Sequence, residues 1–69
     1  MTDREKLLIG VEMVKTADWH RKQANAAYLA QLKAFADSDY PHERDMRFAV
    51  EHHKRLAREI DAGYERIVE

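Results

Sequence analysis

The residues best suited to chemistry in this chain are its four histidines, His20, His42, His52 and His53. A metal site on a helix needs ligands three or four residues apart on one face. No Asp or Glu precedes a histidine by three within one helical segment, and the adjacent His52 and His53 diverge by about 100° around a helix. The one remaining route to a metal would bring two copies of His53 together across a dimer axis. The expectation is therefore no metal and no cofactor, with His20 and His52 facing solvent.

A second constellation is Arg21, Asn25 and His53, flanked by Trp19 and Tyr28. A guanidinium can take a phosphate or carboxylate in a two-pronged grip, and an aromatic face can stack on a base. These five residues are the candidate ligand site, for a small anionic nucleotide. The same Asn25–His53 layer could instead be a buried polar pair that fixes helix register at some cost in stability. The run His52-His53-Lys54-Arg55 with Arg58, beside His20-Arg21-Lys22, could make the mid-section locally positive, or could be a solvated face balanced by Asp18, Glu51 and Glu59. Trp19 is expected at a contact, because Trp is enriched at binding hot spots. No glycine-rich phosphate loop, nucleophile elbow or Cys/His pair is present, and the chain is expected not to be an enzyme.

Positioning these side chains falls to two helices. Thr2 and Glu5 have the spacing of a capping box, and nothing breaks the pattern until Asp37. The first helix is expected over about 3–37. Leu7, Val11, Val14, Tyr28, Leu32 and Phe35 recur at spacings of four and three, the mark of a helix packed lengthwise on another. The same register passes through Asp18, Arg21 and Asn25, so this stripe is polar at mid-length. A turn at 38–41 follows. Pro41 suits the start of a helix and disfavours helical geometry at Tyr40. The second helix is expected over about 41–67. Its apolar positions are Met46, Ala49, Val50, His53, Leu56, Ala57, Ile60, Gly63, Tyr64 and Ile67, with ion pairs expected at Glu43–Arg47, Glu51–Arg55 and Arg55–Glu59.

Two long helices and one short turn predict an all-α antiparallel hairpin, a single domain over residues 1–69. Folding about residue 39 pairs positions whose numbers sum to about 78. Leu32 then meets Met46, Tyr28 meets Val50, Val14 meets Tyr64 and Val11 meets Ile67. Asn25 faces His53, with Arg21 near Ala57 and Asp18 near Ile60. The stripe on the second helix is wider than one neighbour can cover. Trp19, Val50, Ala57, Gly63, Tyr64 and Ile67 are therefore the candidate interface. The expected assembly is a homo-oligomeric bundle resembling a coiled coil, most simply a dimer. Gly10 and Gly63, near the open end, could let helices approach closely.

Composition fits this picture. Charged residues make up 36 % of the chain, with only two Gly and one Pro, as in long solvated helices. Twelve basic and thirteen acidic residues give a net charge of −1, a balance that argues against a dedicated nucleic-acid binder. With no Cys, disulfides and thiol chemistry are excluded. At 69 residues a domain is marginal without help, and oligomerisation is a usual remedy. No stretch is apolar enough to span a membrane. The charged segment Met1-Thr2-Asp3-Arg4-Glu5-Lys6 lacks the features of a signal peptide, so a cytoplasmic location is expected.

Arg47-Phe48 with Lys54-Arg55-Leu56-Ala57 and Ile60 resembles a helix of small phage proteins that sequester cyclic nucleotides and so blunt CBASS-type bacterial immunity. Arg4-Glu5-Lys6 through Val14 and Trp19-His20 is similar to another helix of that family, in the opposite chain order. The resemblance implies an oligomeric helical sponge that binds without turnover, and assigns no ligand residue here. Taken together, these features predict a small non-enzymatic oligomeric binding protein, an adaptor or inhibitor of the phage or mobile-element type acting through protein contacts. A nucleotide sponge is the alternative, and a DNA-binding accessory protein the second alternative.

Overall fold

The structure, a computed structural model, describes the backbone of residues 2–68 and side chains through residue 67. It is an all-α hairpin of two helices, α1 (Asp3–Ala36) and α2 (Tyr40–Val68), forming a rod 53 × 14 × 11 Å. Thr2 caps α1, accepting a hydrogen bond from the Glu5 amide at 3.2 Å, while its hydroxyl donates to Glu5 Oε1 at 3.1 Å. The orphan amides of a first turn need such a partner.

The turn is tighter than expected. α1 ends in a Schellman arrangement: Ser38 N–H donates to the Phe35 carbonyl and Asp39 N–H to that of Ala34. Ser38 takes the left-handed conformation, with φ of 59°, at a position that usually falls to glycine. Asp39 then caps α2, its carboxylate accepting from the His42 amide. With that cap in place Tyr40 is already helical, and Pro41 sits in the first turn, where no N–H is needed. Tyr40 packs edge-on against Phe35, with ring centroids 6.2 Å apart, and so closes the turn.

The face that α1 turns to α2 differs from the expected one. Its buried residues are Gly10, Ala17, Ala24 and Ala34, joined by the half-buried Met13, His20, Ala27 and Gln31. This is an unbroken 3-4 stripe one residue, or about 100°, away from the expected one. Sterics and desolvation both favour it. The large side chains of α2 fit against small ones, as where the Tyr64 ring lies over Gly10 and Met13 Cε reaches Gly63. Turning the Leu7–Phe35 stripe inward would set large residues against large and bury Asp18, Arg21 and Asn25. Burying such groups is expensive. Chosen this way, the contact leaves Leu7, Val11, Val14, Tyr28, Leu32 and Phe35 exposed.

The register shifts as well. Gly10 contacts Tyr64, Gln31 bonds Glu43 and His20 bonds His53, so facing numbers sum to about 74. This is four lower than expected, or one turn of helix. Leu32–Met46 and Tyr28–Val50 are therefore not facing pairs. On α2 the expected stripe does face α1: Val50 and Ala57 are 5 % and 4 % exposed. Of the expected ion pairs on α2, Glu43–Arg47 forms, at 3.9 Å, and the other two do not among the described residues. No described helix is long and apolar enough to cross a membrane.

Candidate functional site

At mid-length His20 from α1 and His53 from α2 meet across the contact, with Nδ1 atoms 2.8 Å apart. Both sit where the 3-4 stripes place a side chain at the seam, and both are half-buried. One ring must donate its Nδ1–H and the other accept. Trp19 caps the pair, its ring edge-on to both imidazoles at centroid distances of 4.9 and 5.7 Å. Burial pushes the His53 pKa down, and the neighbouring His20 and His52 push it further, since each would add like charge. Among the described residues no three His, Cys, Asp or Glu side chains are grouped to hold a metal ion.

Beside the histidines, Arg21 reaches over the seam. Its guanidinium donates to Asp18 Oδ1 at 2.7 Å and to Asp61 Oδ2 on the opposite helix. Asp61 above all, then Asp18, holds the guanidinium pKa above its ordinary value. Half-exposed pairs of this kind contribute little to stability, but the two carboxylates already balance the charge that an incoming anion would need.

The five expected ligand residues do not converge. His53 lies in the seam with His20, a partner the sequence reading placed in solvent. Trp19 packs on that pair. Arg21 is engaged by two carboxylates, while Asn25 and Tyr28 lie exposed on the outer face of α1. The expected Asn25–His53 layer is replaced by His20–His53, because the alanine stripe puts His20 inward. Spacing of 3 and 4 from Gly10 through Met13, Ala17, His20, Ala24 and Ala27 was the signal that could have found it.

The expected interface residues also divide. Val50 and Ala57 are buried against α1, and Gly63, Tyr64 and Ile67 are half-buried at the open end. Most of the uncovered apolar surface belongs to α1, although Tyr40 and Phe48 are exposed on α2. Leu7 and Phe35 are 67 % and 63 % exposed, and Val11, Val14, Tyr28 and Leu32 lie between them on the same face. Next to this stripe, Leu7, Gly10, Val11, Val14, Tyr64 and Ile67 line a groove of about 520 Å³ at the open end, edged by Asp3, Lys6 and Lys15. The chain matches no family model, no curated protein and no solved structure, so these surfaces are the ground for a functional reading.

A third feature lies on the outer side of α2. Phe48, Glu51, His52, Arg55 and Arg58 line a shallow depression. It joins an exposed aromatic ring to two guanidinium groups that have no ion-pair partner among the described residues.

Proposed function

We propose that this protein works by binding rather than by chemistry, as a self-associating helical-hairpin module that meets protein surfaces through the outer face of α1. An adaptor or inhibitor is the role that fits. One observation carries the reading: α1 spends its alanines on α2 and leaves large apolar side chains in contact with water at both ends of one face, Leu7, Val11 and Val14 at one and Tyr28, Leu32 and Phe35 at the other. Contiguous apolar surface on a small chain is the mark of an interaction site. Sedimentation equilibrium tests it. The chain should show a mass above 8.1 kDa at micromolar concentration. Val11→Asp with Leu32→Asp should return it to the single-chain mass with unchanged helix content. A wild-type chain that stays at one-chain mass up to hundreds of micromolar would refute self-association.

A second reading, a small anionic nucleotide held without turnover, is supported by the Phe48–Arg55–Arg58 depression on α2, not by the mid-hairpin layer. Binding to the native state alone would raise the melting midpoint with ligand concentration. Arg55→Ala with Arg58→Ala should abolish that rise. A panel of cyclic and linear nucleotides that leaves the midpoint unmoved would discard this reading.

A further inference from the structure

The exposed stripe on α1 is close to a palindrome. Starting from the open end, it reads Leu7, Val11 and Val14, then Asp18, Arg21 and Asn25, then Tyr28, Leu32 and Phe35. Three apolar positions, three polar ones and three apolar ones follow each other at alternating steps of four and three. Turning the helix end for end about Arg21 lays this pattern onto itself. Leu7 falls on the partner's Phe35, Val11 on the partner's Leu32 and Val14 on the partner's Tyr28, pairs whose numbers sum to 42 or 43. Polar residues meet polar residues only in the middle, where Asp18 falls beside the partner's Asn25.

We infer that the occupant of this face is a second copy of the chain, docked α1 to α1, antiparallel, with its two-fold axis at Arg21. The inference rests on the self-association proposed above and specifies its face, direction and register. Two-fold pairing uses one self-complementary patch twice, and this patch is self-complementary residue by residue. The axis does not bring bare like charges together. Each Arg21 arrives already bonded to Asp18 and Asp61, so two guanidinium groups meet four carboxylates. At the ends, Leu32 and Phe35 of each chain reach the open-end groove of the other, the space beside Leu7, Val11 and Val14 under Tyr64 and Ile67. A helix of 34 residues at ~1.5 Å rise and ~10 Å width offers roughly 500 Å² per chain. That is about 1,000 Å² in total, the lower bound for a specific interface.

Direction and register can be read by cross-linking, because the chain has no cysteine of its own. Val14 and Tyr28 are about half exposed in the single hairpin, so V14C and Y28C should each fold. Within one helix the two positions lie roughly 21 Å apart, beyond disulfide reach. Mixing V14C with Y28C under mild oxidation should give a disulfide-linked heterodimer in high yield, while either variant alone should give little. If V14C links to itself instead, the pairing is parallel. If the mixture stays unlinked while sedimentation still shows a dimer, another face is used. Either outcome overturns this inference and leaves self-association standing, whereas single-chain mass for the wild type sinks both.

Discussion

The alanine contact makes a prediction with a definite sign. Ala17 is fully buried, with 0 % of its surface exposed, and the register places it across from Ala57, itself buried. This Ala–Ala layer is where the helices have least room. Ala17→Leu adds three carbons with nowhere to go. Overpacking of this kind costs roughly 1–3 kcal/mol. Unfolding entropy of about 2.1 cal/mol/K per residue, over 69 residues, is on the order of 0.14 kcal/mol/K. A loss of about 2 kcal/mol therefore lowers the midpoint by roughly 14 °C. The assay is thermal melting by circular dichroism, at matched low concentration, against Val14→Leu as the control. Val14 faces outward, so the control should change stability by no more than about 0.5 kcal/mol, or roughly 3 °C in the midpoint. If Ala17→Leu is neutral or stabilising, α1 does not present its alanines to α2 and the fold described above is wrong about which face is inside.

Three further outcomes follow from local geometry. Gly10→Ala should destabilise by about 1 kcal/mol despite Ala's better helix propensity. The new Cβ would lie 2.9 Å from Tyr64 Cε2, so the same change in a Tyr64→Ala background should turn stabilising, a reversal that denaturant titration would detect. Ser38→Gly should raise stability by roughly 0.5–1 kcal/mol, since glycine holds the left-handed φ of 59° without the penalty of a side chain; a lower midpoint would contradict the turn geometry. For His53 the pKa is lowered in the folded state by burial and by the neighbouring His20 and His52. The unfolded chain thus binds more protons, and stability is full above the ordinary histidine pKa of about 6.5 and falls as the pH drops below it. Melts between pH 7.5 and 5 should show that fall, with Trp19 fluorescence reporting it from beside the pair, and His53→Ala should flatten it; an unchanged slope would remove the histidine layer.

The hairpin was legible because its punctuation is chemical. Thr2 and Glu5 start one helix, Asp39 and Pro41 start the next, and the face that α2 turns inward could be read from Met46 to Ile67. The inward face of α1 was not legible from hydrophobicity, which ranks Leu7, Val11 and Phe35 above Gly10, Ala17 and Ala24. What decided it was fit: bulky α2 residues need small neighbours, and the stripe of larger residues carries Asp18, Arg21 and Asn25 at its centre. Centring the fold on residue 39 displaced the register by one turn, and together with the wrong stripe this put Asn25 rather than His20 opposite His53. The choice of stripe put the surplus apolar surface on α2, whereas most of it lies on α1.

Small-angle X-ray scattering on a size-exclusion column most directly tests whether α1 pairs with itself along its full length. Because the pairing centre at Arg21 lies near the middle of α1 (Asp3–Ala36), the two hairpins overlap almost completely. The scattering mass should be twice 8.1 kDa while the longest dimension stays close to the 53 Å of one hairpin. A particle of one-chain mass, or a two-chain particle approaching double that length, would contradict it.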